Sequence, residues 1–519
     1  MTHVPRSRRG VLTGVALGAA AAALLALAGL ANSGLPGQTP VGAMHTPVAT
    51  AVGSSSPATG LADAFYARPA PLPARALQEP ELTGSLLAAD EKVVRGQYLA
   101  RMGGCIGCHS RPGGAPFAGG LPLQTPFGVI VSTNITPDKT QGIGNYTLAT
   151  FDAALRHGKD AEGGNLYPAM PYVNFARMTE DDIAALFSYF MQAVPAAQQD
   201  NPDTALAWPF SMKSLLSVWN WLYLPRPGFV AEAQRSADWN RGAYLVRGAG
   251  HCGACHTPRG VSGAEKSVSE QDGDQYLEGA LIDGWYAQSL RSMKDTQGRV
   301  SPGLERWSVA DIEDYLRSGR NGHTAAFGAM SAVVAHTTQH LTAQDGAAIA
   351  IYLKSVGSGV GASSKQDIGI NAPSSATDLA VADHTSPATA PDVTTQALRA
   401  GIVSRRGAAV YLNNCSGCHR SDGRGAARIF PGLALSSSVA AADATSLIRI
   451  VLQGSAMPST ASAPSALAMP GLGWRLSDDD VAGVLSFVRN SWGNKAGGVT
   501  AADVAKVRAA VQPQVAAVH

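Results

Sequence analysis

GHCGACHT, residues 250–257, sets Cys252 and Cys255 two residues apart and places His256 directly after the second. GGCIGCHS repeats the arrangement at Cys105, Cys108 and His109, and NNCSGCHR repeats it at Cys415, Cys418 and His419. The 519-residue chain has six cysteines, and all six fall in these three Cys-x-x-Cys-His copies. In an exported chain this spacing reads as covalent haem attachment. Two thiols add across the two vinyl groups of one porphyrin edge, and the adjacent histidine is carried beneath the iron as its proximal ligand. Competing readings fare worse. A zinc ribbon needs a second cysteine pair about 15–20 residues away, whereas Cys105 and Cys252 are 147 residues apart. A thioredoxin-like pair needs a βαβ setting, and the surroundings read as helix and loop. Plain disulfides leave the three histidines unexplained.

The repeat extends beyond the cysteines. RGQYLARMGGC, RGAYLVRGAGHC and RGAAVYLNNC lead into the three motifs as short helices. MTEDDIAALFSYFMQAV, LTAQDGAAIAIYLKSV and LSDDDVAGVLSFVRNSW close the three segments. Thr179, Thr342 and Ser477 read as N-caps, with Asp182, Asp345 and Asp480 three residues on and Met178, Leu341 and Leu476 as staples before them. Tyr189, Tyr352 and Phe487 share one offset. The expected fold is mostly α, with three tandem cytochrome c-type helical domains at 88–196, 237–357 and 395–495. Residues 32–87 and 358–394 have the Ala/Pro/Ser/Gly composition of flexible linkers. Residues 197–236 form an aromatic-rich connector, and 496–519 a C-terminal tail.

Residues 1–31 read as an export signal or an N-terminal membrane anchor. Arg6, Arg8 and Arg9 precede an uncharged apolar run from Val11 to Ala31, which fits a signal cleaved after Ala28 or Ala31. The run also reaches the ~20 residues a membrane span needs. SRRGVL resembles a twin-arginine signal, with Val11 where Phe is usual. The destination is the cell exterior or the periplasm. A formal net charge of +2 with both signs interspersed excludes a nucleic-acid surface. Charged residues make up only 15% of the chain, against 57 glycines and 31 prolines, which suits small loop-rich domains.

The sixth iron ligand follows by elimination. Between His419 and the closing helix of the third segment there is no other histidine, leaving Met457 and Met469. Met469 lies eight residues before the Ser477 cap, Met170 nine before Thr179, and Met330 twelve before Thr342. The shared offset selects Met170, Met330 and Met469 as distal ligands, with Met457 the alternative in the third segment. Met178 and Met191 suit helix packing, and His157, His323, His336 and His340 suit hydrogen-bonded surface or loop positions. Histidine–methionine ligation raises an iron potential and leaves no open coordination position. No acid–base dyad or activated nucleophile accompanies the motifs, so no substrate-oxidising site is expected on this chain.

VSTNITPDKTQGIGNYTLATFDAALRHG, GNLYPAMPYVNFARMTEDD, RWSVADIEDYLRSGRNGHTAAFGAM and AMPGLGWRLSDDDVAGVLSFVRNSWGN together resemble the triheme cytochrome c subunit of membrane-bound periplasmic dehydrogenases of acetic acid bacteria. The resemblance covers about residues 88–495. It implies three covalent haem c groups that carry electrons from a separate catalytic subunit, oxidising an aldehyde or alcohol, to membrane ubiquinone. That catalytic partner carries molybdopterin with iron–sulfur clusters, pyrroloquinoline quinone or flavin in different members. The rivals are a multihaem cytochrome with its own peroxidase-like chemistry and a periplasmic shuttle to a terminal oxidase. WPFSMKSLLSVWNWLYLPRPGF, residues 208–229, concentrates aromatics with almost no charge and reads as a membrane or partner contact.

Overall fold

In each repeat the helix before the cysteines crosses the closing helix at a glycine. The computed structural model describes residues 79, 90–294, 300–301, 303–357 and 392–511. The signal or anchor, residues 1–31, and nearly all of both linkers lie outside them. The first segment contains α1 (Glu91–Met102), α2 (Cys105–Cys108), α3 (Leu148–His157), α4 (Tyr172–Phe175) and α5 (Glu180–Gln192). The connector carries α6 (Leu216–Tyr223). The second segment contains α7 (Ala237–Arg247), α8 (Gly253–His256), α9 (Val309–Ser318), α10 (Ala329–His336) and α11 (Ala343–Gly357). The third contains α12 (Val393–Arg399), α13 (Arg406–Asn414), α14 (Ser416–His419), α15 (Ser437–Ala440), α16 (Thr445–Gln453), α17 (Asp478–Arg489) and α18 (Ala501–Val511). Short antiparallel strands are the other regular element, among them the hairpin Ala280–Ile282 with Trp285–Ala287, turned by Asp283 and Gly284. Both turn residues have positive φ, 48° and 69°, as a two-residue Asp-Gly hairpin requires.

The crossing glycines explain why the RG pair recurs. A Cβ on Gly96 would sit 2.0 Å from the Ala185 carbonyl oxygen, one on Gly242 2.0 Å from Ala348 O, and one on Gly407 2.1 Å from Gly483 O. Only a residue without a side chain lets α1 meet α5, α7 meet α11, and α13 meet α17 so closely. The arginine before each glycine then reaches the aspartate at the start of the facing helix. Arg95 pairs with Asp182 at 2.5 Å, Arg241 with Asp345 at 2.7 Å and Arg406 with Asp480 at 2.7 Å.

The N-caps form where the sequence places them. Thr179, Thr342 and Ser477 accept from the backbone N–H groups of Asp182, Asp345 and Asp480. Asp480 completes a capping box by accepting from Ser477. Asp182 and Asp345 turn outward to a second partner. Tyr98 donates to Asp345 at 2.5 Å, and Tyr244 donates to Asp182, so each of the first two segments closes the other's helix start. The third segment has Ala409 at the corresponding place and makes no such exchange.

That reciprocity shapes the core. Val93, Leu99, Ile183, Tyr189, Tyr244, Leu245 and Tyr352 belong to one hydrophobic core spanning the first two segments. Tyr411, Val481, Val484 and Val504 belong to a second core confined to the third segment. α18, within the segment read as a tail, contributes to that core, and Arg508 ties it to the Gly473 and Leu476 carbonyls. The third segment docks on the second through polar contacts: Tyr286 N–H donates to Ser446 at 2.7 Å and Gln288 to Ser438 at 2.8 Å. Arg449 lies 4.5 Å above the Trp285 ring. Among the described residues no helix is long and apolar enough to cross a membrane.

Candidate haem-binding site

Each Cys-x-x-Cys-His forms a single helical turn, which brings both sulfurs and the imidazole to one side of the backbone. α2 follows α1 after Gly104 at φ 59°, a left-handed turn that redirects the chain. α8 and α14 end at the histidines themselves. All six thiols are free; Cys105, Cys252 and Cys415 are half-buried, while Cys108, Cys255 and Cys418 are exposed. Burial pushes the Cys105 and Cys252 thiols up to about 12 and the Cys415 thiol up to about 11. Cys108 and Cys255 are solvent-accessible, yet the surrounding protein also pushes them up by desolvation.

The histidines are held alike. His109 Nδ1–H donates to the Thr133 carbonyl at 2.7 Å, His256 Nδ1–H to Gln288 O at 2.7 Å, and His419 Nδ1–H to Pro431 O at 2.9 Å. This assignment places the ring proton on Nδ1 and the lone pair on Nε2, the tautomer a metal-ligating histidine needs. Burial lowers all three from the usual imidazole range, with the carbonyl bond opposing it, which keeps the rings neutral.

Met170 lies just before α4, Met330 in the first turn of α10, and Met469 on a strand paired with Ser455. All three are half-buried, and Met170 and Met469 pack against their cores. Met457 is buried and shares a small recess with Arg320, Asn321 and Pro431. Met178 is a core residue and Met191 packs beside it. His157 is near Asp152, His323 stacks on Trp307 and lies 3.3 Å from Asp311, and His336 is buried.

The first two motifs lie side by side. The Cys255 sulfur adds to the burial that raises Cys108, which puts the second cysteines of both motifs within electrostatic reach of each other. His251 Nε2 lies 3.1 Å from the Gly103 carbonyl oxygen, and its ring meets Phe175 edge-on at 5.6 Å. Behind the motifs, Arg247 bonds Tyr352 at 3.0 Å and pairs with Glu270, while Arg101 pairs with Glu79 at 2.6 Å. The third segment has Leu412 and Phe487 at the matching places.

This donor set fits a c-type haem: paired thiols for the vinyl groups and a neutral imidazole with a free lone pair for the iron. Among the described residues no group of three or more His, Cys, Asp or Glu side chains is arranged to hold a bare metal ion. A haem so held supplies a one-electron Fe(III)/Fe(II) couple.

A cytochrome c family model matches residues 404–492, the third segment. The gluconate 2-dehydrogenase cytochrome c subunit of Pantoea cypripedii is 46% identical over 426 residues, covering 81% of this chain and 90% of that protein. The alcohol dehydrogenase (quinone) cytochrome c subunit of Gluconobacter oxydans is 44% identical over 435 residues, covering 82% and 84%. The fructose dehydrogenase cytochrome subunit of Gluconobacter japonicus is 35% identical, covering 80% and 82%. The chain belongs to the family of dehydrogenase cytochrome c subunits.

As a cytochrome c subunit it is a haem-bearing electron-transport component of a dehydrogenase complex. The motifs were legible in the sequence as contiguous candidates for attachment. The carbonyls of Thr133, Gln288 and Pro431 were not visible in the sequence of this cytochrome subunit, because they lie 24, 32 and 12 residues from the histidines they hold. One signal for the pairing of the first two segments was present: Tyr98 and Tyr244 share a position that Ala409 occupies in the third.

Proposed function

We propose that this subunit carries three covalent haem c groups and passes electrons from the catalytic subunit of a periplasmic dehydrogenase to ubiquinone in the inner membrane. The observation that carries the reading is threefold: each motif offers one half-buried and one exposed thiol three residues apart and a histidine whose Nδ1 is committed to a carbonyl. Cys105 with Cys108, Cys252 with Cys255, and Cys415 with Cys418 anchor the haems. His109, His256 and His419 are the proximal ligands, and Met170, Met330 and Met469 the distal ones. The units are 88–196, 237–357 and 395–495. With both axial positions filled by side chains, the irons exchange electrons and bind no substrate. Substrate oxidation belongs to the catalytic partner, an aldehyde or alcohol dehydrogenase. The word quinone in the name of the Gluconobacter oxydans relative supports ubiquinone as acceptor.

The test is reconstitution of the holo-subunit with its co-purifying catalytic subunit in membranes. Substrate-dependent ubiquinone reduction should require the subunit, and the ferrous protein should bind little carbon monoxide. Rapid carbon monoxide binding would mean an open iron position and a haem enzyme in its own right.

A further inference from the structure

The connector helix α6 is amphipathic in the inverted sense. Its polar and aromatic side faces the protein: Tyr172 donates to Asn220 at 2.7 Å, Asn165 donates to Ser217 at 2.9 Å, and Trp219 donates to the Ser262 carbonyl at 3.0 Å. Its apolar side faces water. Leu215, Val218 and Leu222 follow one helical stripe and are 49%, 58% and 56% exposed, with Trp221 beside them at 71%. Trp208 and Phe210 extend the surface at 74% and 45%. Val261, next to the Ser262 that anchors Trp219, adds a side chain that is 97% exposed. So many large apolar side chains left exposed on and beside one short helix are rare on a protein that faces water on every side.

The charge of the surface names its occupant. From Thr204 to Ala231 the only charged residues are Lys213 and Arg226, both positive. Tryptophan and tyrosine settle at the headgroup level of bilayers, and flanking Lys or Arg favours anionic lipid. We infer that the face made by α6, Trp208, Phe210 and Val261 lies on an anionic phospholipid bilayer, with Lys213 and Arg226 among the headgroups.

This deepens the proposed function, on which it rests, by fixing which face of the subunit meets the membrane. α6 is seated on Tyr172, two residues after Met170, and on Ser262, six after His256. The docked face is thus anchored to the segments that carry the first and second sites, and a membrane-dissolved quinone would be reached from that side.

The test uses the full-length holo-chain with Val218→Cys labelled by a nitroxide, bound to vesicles of phosphatidylcholine and phosphatidylglycerol. The readout is accessibility to oxygen against a water-soluble nickel chelate, with Val393→Cys, 82% exposed on the third segment, as reference. Residues 1–31 could hold the chain to vesicles by themselves, so depth at Val218 is measured and not binding. The Val218 label should gain oxygen and lose nickel accessibility while the Val393 label stays open to nickel. Adding Trp208→Ser and Trp221→Ser should return the Val218 label to water. A label at Val218 that stays open to nickel, or that closes only when the catalytic subunit is added, overturns the inference. Haem content and dithionite reduction, recorded on the same samples, report separately on the electron-carrier reading.

Discussion

Met457 and Met469 flank one hairpin, and their surroundings separate them. Met457 shares its recess with Pro431, whose carbonyl accepts from His419. Met469 packs against the third core and lies eight residues before its helix cap, close to the nine of Met170. Met469→Ala should remove the sulfur-to-iron charge-transfer band of one haem in three, while Met457→Ala should keep it; absorption spectra of the oxidised protein decide. Glu265 offers a second test. Its Oε2 is buried without a hydrogen-bond partner beside the second motif, and burial raises its carboxyl to about 7 despite Arg259, Asn174 and Arg177. A raised carboxyl binds its proton more tightly folded than unfolded. Its contribution is full below the ordinary glutamate range and is lost as pH climbs through about 7. Glu265→Gln should therefore flatten the fall in melting temperature between about pH 5 and 8 and change little at the acid end; an unchanged slope would remove Glu265 from the account. The candidate ligands could be proposed from sequence because Cys-x-x-Cys-His is contiguous and the methionines precede a recognisable cap. Glu265 was not, because Asn174 and Arg177 reach it from the first segment, far away in sequence.

Helix termini were legible for a related reason: a cap is a contact between residues three apart, and Thr179, Thr342 and Ser477 all make it. The partners of Asp182 and Asp345 were hidden, since Tyr244 and Tyr98 lie 62 and 247 residues away. The glycine of each RG pair carried its meaning in plain view, but only the crossing helices reveal it. Gly242→Ala would place a methyl 2.0 Å from the Ala348 oxygen and force α7 away from α11. Overpacking of this kind costs about 1–3 kcal/mol. The denaturant midpoint should drop accordingly in Gly242→Ala, whereas Gly417→Ala, whose added methyl would meet nothing within 4 Å, should unfold as the parent does. Equal midpoints would show that the crossing tolerates a side chain.

At the level of the molecule, three repeats were visible as three independent units, yet the first two share one core while the third keeps its own. The divergence is written in a few positions: Tyr98, Tyr244, Arg101 and Arg247 against Ala409 and Leu412. Physically, the reciprocal Tyr98–Asp345 and Tyr244–Asp182 bonds hold the first two segments in one orientation, whereas Leu412 and Phe487 fill the third core on their own terms. What the repeats have in common is the chemistry of attachment, and that is the central claim. The intact mass of the exported, mature subunit measures it most directly. The account predicts the added mass of three haems and no thiol that reacts with an alkylating reagent; two haems or fewer, with alkylatable cysteines in any of the three motifs, would contradict it.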